Sequence, residues 1–142
     1  MKWFKKKRIV VPFDYSADSI EALNFGVSVA DEHGRVHLVH VLHELPPSES
    51  EFYWESSRDL ERCREAKQSI EECLAANGIN NVKVKVLVGD PAKEIVEFAK
   101  EIDTDLIVIS SHGYSAVKEF FLGSVAKKVV RGSKCPVMVM KH

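Results

Sequence analysis

Apolar residues along this chain fall alternately into short continuous runs and into stripes of helical spacing. Arg8-Ile9-Val10-Val11 is a β-branched run stopped by Pro12, which predicts a short buried strand. Pro12 to Ser16 forms a turn, and Ser16 suits a helix N-cap. Ile20, Leu23, Val27 and Ala30 then recur at helical spacing, with His33-Gly34 as the stop. Val36 to Leu42 predicts a second strand. A polar connection through Pro46-Pro47 and Ser48 to Glu51 leads to a helix from about Ser56 to Asn77. Its stripe is Leu60, Cys63, Ala66, Ile70 and Leu74, and Asn77-Gly78 closes it. Val82 to Val88 begins by alternating valine with lysine, the pattern of a sheet-edge strand with one solvated face. Asp90-Pro91 opens a helix buried through Ala92, Ile95, Ala99 and Ile102. Leu106 to Ile109 is a fourth apolar run and Pro136 to Met140 a fifth. Between them Gly123-Ser124 starts an amphipathic helix, with Val125, Val129 and Val130 opposed to Lys127, Lys128 and Arg131.

Strands that alternate with helices must pair in parallel through right-handed crossovers. The expectation is therefore one Rossmann-like α/β domain over residues 1–142, in three layers. Its five-stranded parallel sheet would have the order 3-2-1-4-5, with helices on both faces. Ligands in such sheets bind beyond the carboxyl ends of the strands where the winding reverses, here strands 1 and 4. That sets Pro12 to Asp14 across from Ser110-Ser111-His112-Gly113. With the helix start at Gly123-Ser124, the two loops frame an anion-binding corner. Val137-Met138-Val139-Met140 is apolar on both faces yet belongs at an edge, a hazard unless covered. Pairing with the same strand of a second copy covers it. A shield from the basic amino-terminal arm or a helix is the alternative.

The 142 residues are 45% hydrophobic and 29% charged with a net charge of -1, so neither nucleic acid nor membrane is an expected partner. The basic start, Lys2 and Lys5 to Arg8 around Trp3 and Phe4, reads as a solvated lead-in to the first strand. It runs straight into Pro12 and Asp14, which is not a secretory leader. No apolar run approaches the roughly 20 residues needed to span a bilayer. Three cysteines without a CxxC pair fit a reducing, cytoplasmic setting; Cys63 and Cys73 lie about 15 Å apart along one helix, too far for a disulfide. The six histidines lack acidic or cysteine partners at ligand spacing, so no metal site is expected. Walker and Gly-x-Gly-x-x-Gly loops are missing. No serine, histidine and acid constellation assembles, and only Asp14 and His112 offer a candidate catalytic base.

The pieces IVVPFDYS, LVHVL, VGDPAKEIVEFAKE, TDLIVISSHG, LGSV and CPVMVM together resemble the universal stress protein family along nearly the whole chain. The resemblance implies the same fold, a dimer through the last strand, Pro136 to Met140, and a stress-response role with a downstream protein that the sequence does not name. Many members bind ATP through Gly-x2-Gly-x9-Gly-Ser/Thr. Here Gly113 and Gly123-Ser124 match that pattern, and Ser110 stands at the first glycine. The resemblance places Pro12, Phe13 and Asp14 at the ribose and adenine, with Asp14 accepting from a ribose hydroxyl. Val41 would meet the base. Ile109, Ser110 and Gly113 would run beneath the ribose and phosphates, and Gly123, Ser124 and Val125 would offer amides to the phosphates. Mg²⁺ or Mn²⁺ would be held by phosphates and water. The function implied is an ATP-dependent regulator or switch. The alternatives are a dimeric interaction module in which Ser110 has closed or weakened the site, and a slow ATPase or phosphotransferase with Asp14 or His112 as its base.

Overall fold

The computed structural model describes residues 6–46, 55–111 and 122–141. Within them the chain forms β1 (Lys6–Pro12), α1 (Ala17–Val29), β2 (Ala30–Leu42), α2 (Glu55–Ala76), β3 (Val82–Val88), α3 (Pro91–Glu101), β4 (Leu106–Ser110), α4 (Ser124–Gly132) and β5 (Val137–Met140). The strands make one sheet of order β3-β2-β1-β4-β5, parallel throughout. The expected architecture and strand order are those observed.

The pleat divides the core in two. Ile9, Val11, Leu38, Leu106 and Val108 pack on one face with Leu23 of α1 and Ile70 and Leu74 of α2. Val10, Val39, Ile107 and Ile109 pack on the other with Ile95 and Phe98 of α3 and Val129 of α4. All five residues of β4 are buried, as a central strand covered on both faces requires. Helix starts follow local chemistry: the Ser16 side chain accepts from the Ser19 N–H, and that of Asp90 from the Lys93 N–H.

Three stripe assignments need correction. Helix α1 ends at Val29, short of His33-Gly34, and Ala30 is already extended with φ -69° and ψ 142°. Lys6 pairs with Ala30 and Arg8 with Arg35, so β2 bulges opposite the start of β1. Ladder pairing with β1 has overridden the helical spacing of Ala30. The buried face of α1 is Ser19, Ala22, Leu23 and Gly26, while Val27 is exposed. Gly26 allows this close approach, because a Cβ there would lie 2.9 Å from Val11 Cγ2. In α2, Leu60 is 67% exposed, outside the stripe that Ile70 and Leu74 anchor. In α4 the buried residues are Ala126 and Val129, and Val130 faces solvent.

Candidate functional site at the switch point

At the carboxyl end of β1 the backbone remains tied to β2. The Phe13 N–H donates to the Val39 carbonyl at 2.9 Å, and the Phe13 carbonyl accepts from His40 Nδ1 at 2.8 Å. The Phe13 ring, 4% exposed, is part of the core beside Leu23 and Leu38. With its ring in the core, what Phe13 offers the corner is its backbone. Asp14 is half-buried, and its Oδ1 accepts from the Ser16 N–H at 3.0 Å and from the Ser16 hydroxyl. This Asx-type turn starts α1 and leaves Oδ2 for other donors.

Tyr15, between them, has φ 68° and is 43% exposed. A non-glycine aromatic in this region is strained by about 1–2 kcal/mol. Its ring lies 5.2 Å from Phe13 and edge-on to His40 at the same 5.2 Å. Neither Tyr15 nor His40 figures among the residues expected at the site. Residue type gave no signal for either, and aromatic residues disfavour positive φ.

The carboxyl end of β4 is built differently. Ser110 is the last strand residue, 8% exposed, and Ser111 is 5% exposed. Ile9 pairs with Leu106 and Val10 with Ile107, a register that, continued, sets Phe13 level with Ser110. The Ser111 N–H donates to the Met140 carbonyl at 2.9 Å, and its carbonyl accepts from the Gly123 N–H at 2.7 Å. One residue thus gathers the ends of β4 and β5 and the start of α4. Positive φ falls at Tyr15, Asn81, Asp103, Gly78 and Gly89 among the described residues, and not at Ser110. The strand at Ser110 does not demand glycine.

Gly123 has φ -57° and no side-chain cap, and Lys127 N–H bonds its carbonyl at 3.0 Å. Its N–H, expected to meet a phosphate, is engaged with Ser111. The amides at the open start of α4 are those of the first turn, from the exposed Ser124 and the half-buried Val125. Pro12 is buried, Ile109 is buried in the α3-side core, and Val41 is half-buried two strands away, opposite Leu87. Gly113 and His112 lie outside the described residues. Lys128 lines a groove of about 330 Å³ between α3 and α4 with Asp90, Lys93, Val96 and Glu97.

Among the described residues, no three histidine, cysteine or acidic side chains gather as a metal site. The three cysteines are free thiols. Burial, then Asp59, pushes the Cys63 thiol up, and burial does the same at Cys135. No helix of the described residues is long and apolar enough to cross a membrane.

Residues 6–141 match the universal stress protein family model. The chain belongs to the universal stress protein family. One relative, a universal stress protein of Methanocaldococcus jannaschii, is 34% identical over 142 residues, covering 95% of this chain and 82% of its own. A second protein of that family and organism has a solved structure, which superposes with a TM-score of 0.75 at 31% identity and covers 96% of each chain. The Archaeoglobus fulgidus universal stress protein in complex with dAMP shares the fold, with a TM-score of 0.63 at 23% identity over 97% of this chain and 99% of that one.

Proposed function

We propose that this chain binds an adenine nucleotide, ATP with its accompanying Mg²⁺ or Mn²⁺, at the corner between β1 and β4. In this reading it acts in the cytoplasm as a dimeric, nucleotide-dependent regulator of the stress response. The observation that carries the reading is the Ser111 junction. It holds the start of α4 against the end of β4, one strand from Asp14. A helix start favours phosphate through its free amides and dipole, and a carboxylate oxygen nearby suits a ribose hydroxyl. Asp14 Oδ2 would take the ribose, the Ser124 and Val125 amides the phosphates, and Val41 the base side. The relaxed backbone at Ser110 supports the reading, since serine there stores no positive-φ strain. The dAMP complex of the A. fulgidus universal stress protein supports the reading. The second copy would pair along β5, which among the described residues has a strand neighbour on one side only and leaves Met138 42% exposed.

A non-binding interaction module is the second reading. Two observations favour it: the Gly123 amide is already bonded, and the Ser110 side chain fills space that glycine would leave open. Absorbance and mass spectrometry of freshly purified, denatured protein separate the two. Co-purified nucleotide, or ATP binding by titration, is expected. Absence of both at millimolar ATP would overturn the proposal.

A further inference from the structure

Among the described residues β3 forms the outer edge of the sheet opposite β5, with β2 as its one strand neighbour. Its residues alternate between two environments. Val82, Val84 and Val86 pack, half-buried, against the core under α2, whereas Lys83 and Lys85 are exposed. The register places Lys83 beside His37, Lys85 beside Val39, and Arg35 beside Arg8. Arg8, Arg35 and Lys83 therefore gather on the α3 side of the sheet around His37, whose ring meets Phe98 edge-on at 5.9 Å. The field there is strong enough to act on His37. Its proton affinity is lowered first by burial, then by Lys83, Arg35 and Arg8. The ion pairs Arg62–Asp59 and Lys67–Glu71 lie outside this patch. Leu60, on the helix that packs over β3, is 67% exposed.

We infer that β3 is a docking edge for an extended acidic segment of a partner protein, which adds as a further strand. An edge strand offers a row of outward N–H and C=O groups to such a segment. The period of two fixes the pattern of the guest. Acidic side chains stand beside Lys83 and Lys85, alternating with apolar ones beside Val84, Val86 and the apolar surface of α2. The same lysines repel a second copy of this edge, so the strand excludes itself while selecting a complementary charge. This separates β3 from β5, whose Val137–Met140 run carries no charge.

The test uses the full chain and a fluorescent peptide of about eight residues alternating glutamate and valine, read by anisotropy at about 0.1 M salt. A peptide of the same composition in block order is the comparison, and backbone amide shifts report location. The alternating peptide is expected to bind at least about tenfold tighter than the block peptide and to perturb Val82–Val88. The double variant Lys83→Glu/Lys85→Glu, its fold verified by circular dichroism, is expected to lose about tenfold. A lysine–valine alternating peptide is expected to bind that variant better than it binds native protein. Equal binding of the two native-test peptides overturns the inference, as do shifts confined to β5 or an unchanged double variant. Single-stranded RNA or anionic vesicles binding through these lysines, with the alternating peptide inert, overturn it as well.

Discussion

At the end of β1 the chain turns through an exposed tyrosine at φ 68°, held by Phe13 and His40 rings and by the Asp14 carboxylate on Ser16. At the end of β4 it leaves the strand through two buried serines with no positive φ, tied by backbone bonds to Met140 and Gly123. The two walls of one corner are thus held by different means. The β1 wall carries a strained residue and a side-chain-capped turn beside its backbone bond to Val39; the β4 wall has no positive φ and is joined to Met140 and Gly123 through the backbone of Ser111. Substitutions should therefore act strongly on the first wall and weakly on the second.

The largest effect belongs to Phe13, which is 4% exposed. Phe13→Ala is expected to cost about 3–5 kcal/mol by chemical denaturation, because it empties core volume beneath the β1 turn. Asp14→Ala should cost about 1–3 kcal/mol through the lost carboxylate bonds to Ser16, and should abolish nucleotide retention. An Asp14→Ala protein of native stability would break the contrast, since its turn would then not depend on side chains. Tyr15 gives a cleaner comparison of two variants that both lose the ring. Tyr15→Gly should be more stable than Tyr15→Ala by about 1 kcal/mol, reversing the usual order of alanine over glycine. On the opposite wall Ser110→Gly should gain nothing from φ and should incur the ordinary penalty of glycine in a strand, about 0.5–1 kcal/mol, besides whatever its buried hydroxyl contributes.

The smallest effect is a pH slope away from both walls. His37 has its pKa lowered from the ordinary 6.5 by burial and by its cationic neighbours. Its neutral form is favoured in the folded state, so the unfolded chain takes up the proton first as pH falls below 6.5. Stability held above that pH is lost on acidification. His37→Gln should make denaturation midpoints less dependent on pH below 6.5, with little change above it.

The strand order was legible because runs such as Ile9-Val10-Val11 and Leu106 to Ile109 leave few places for a buried parallel strand. The placement of Pro12–Asp14 beside Ser110–Ser111 followed from that order alone. What was illegible depends on contacts across the sheet. Ala30 joins a strand because Lys6 pairs with it, and Gly26 is needed because Val11 lies under it. The family resemblance names Phe13 as a ligand contact without saying which of its atoms serve, and the pleat points its ring into the core. The strain at Tyr15 could not be read from residue type, since aromatic residues disfavour positive φ. The suspicion fell instead on Ser110, where glycine was missing but the backbone does not require it.

The measurement that bears most directly on the nucleotide site is calorimetric titration of Mg·ATP into native protein and into Ser110→Gly, side by side. Native protein is expected to bind, and the glycine variant to differ in affinity by less than about tenfold, because only a small buried side chain separates them. A native protein that fails to bind at millimolar ATP, beside a Ser110→Gly variant that does, would contradict this. It would show Ser110 to be the residue that closes the site.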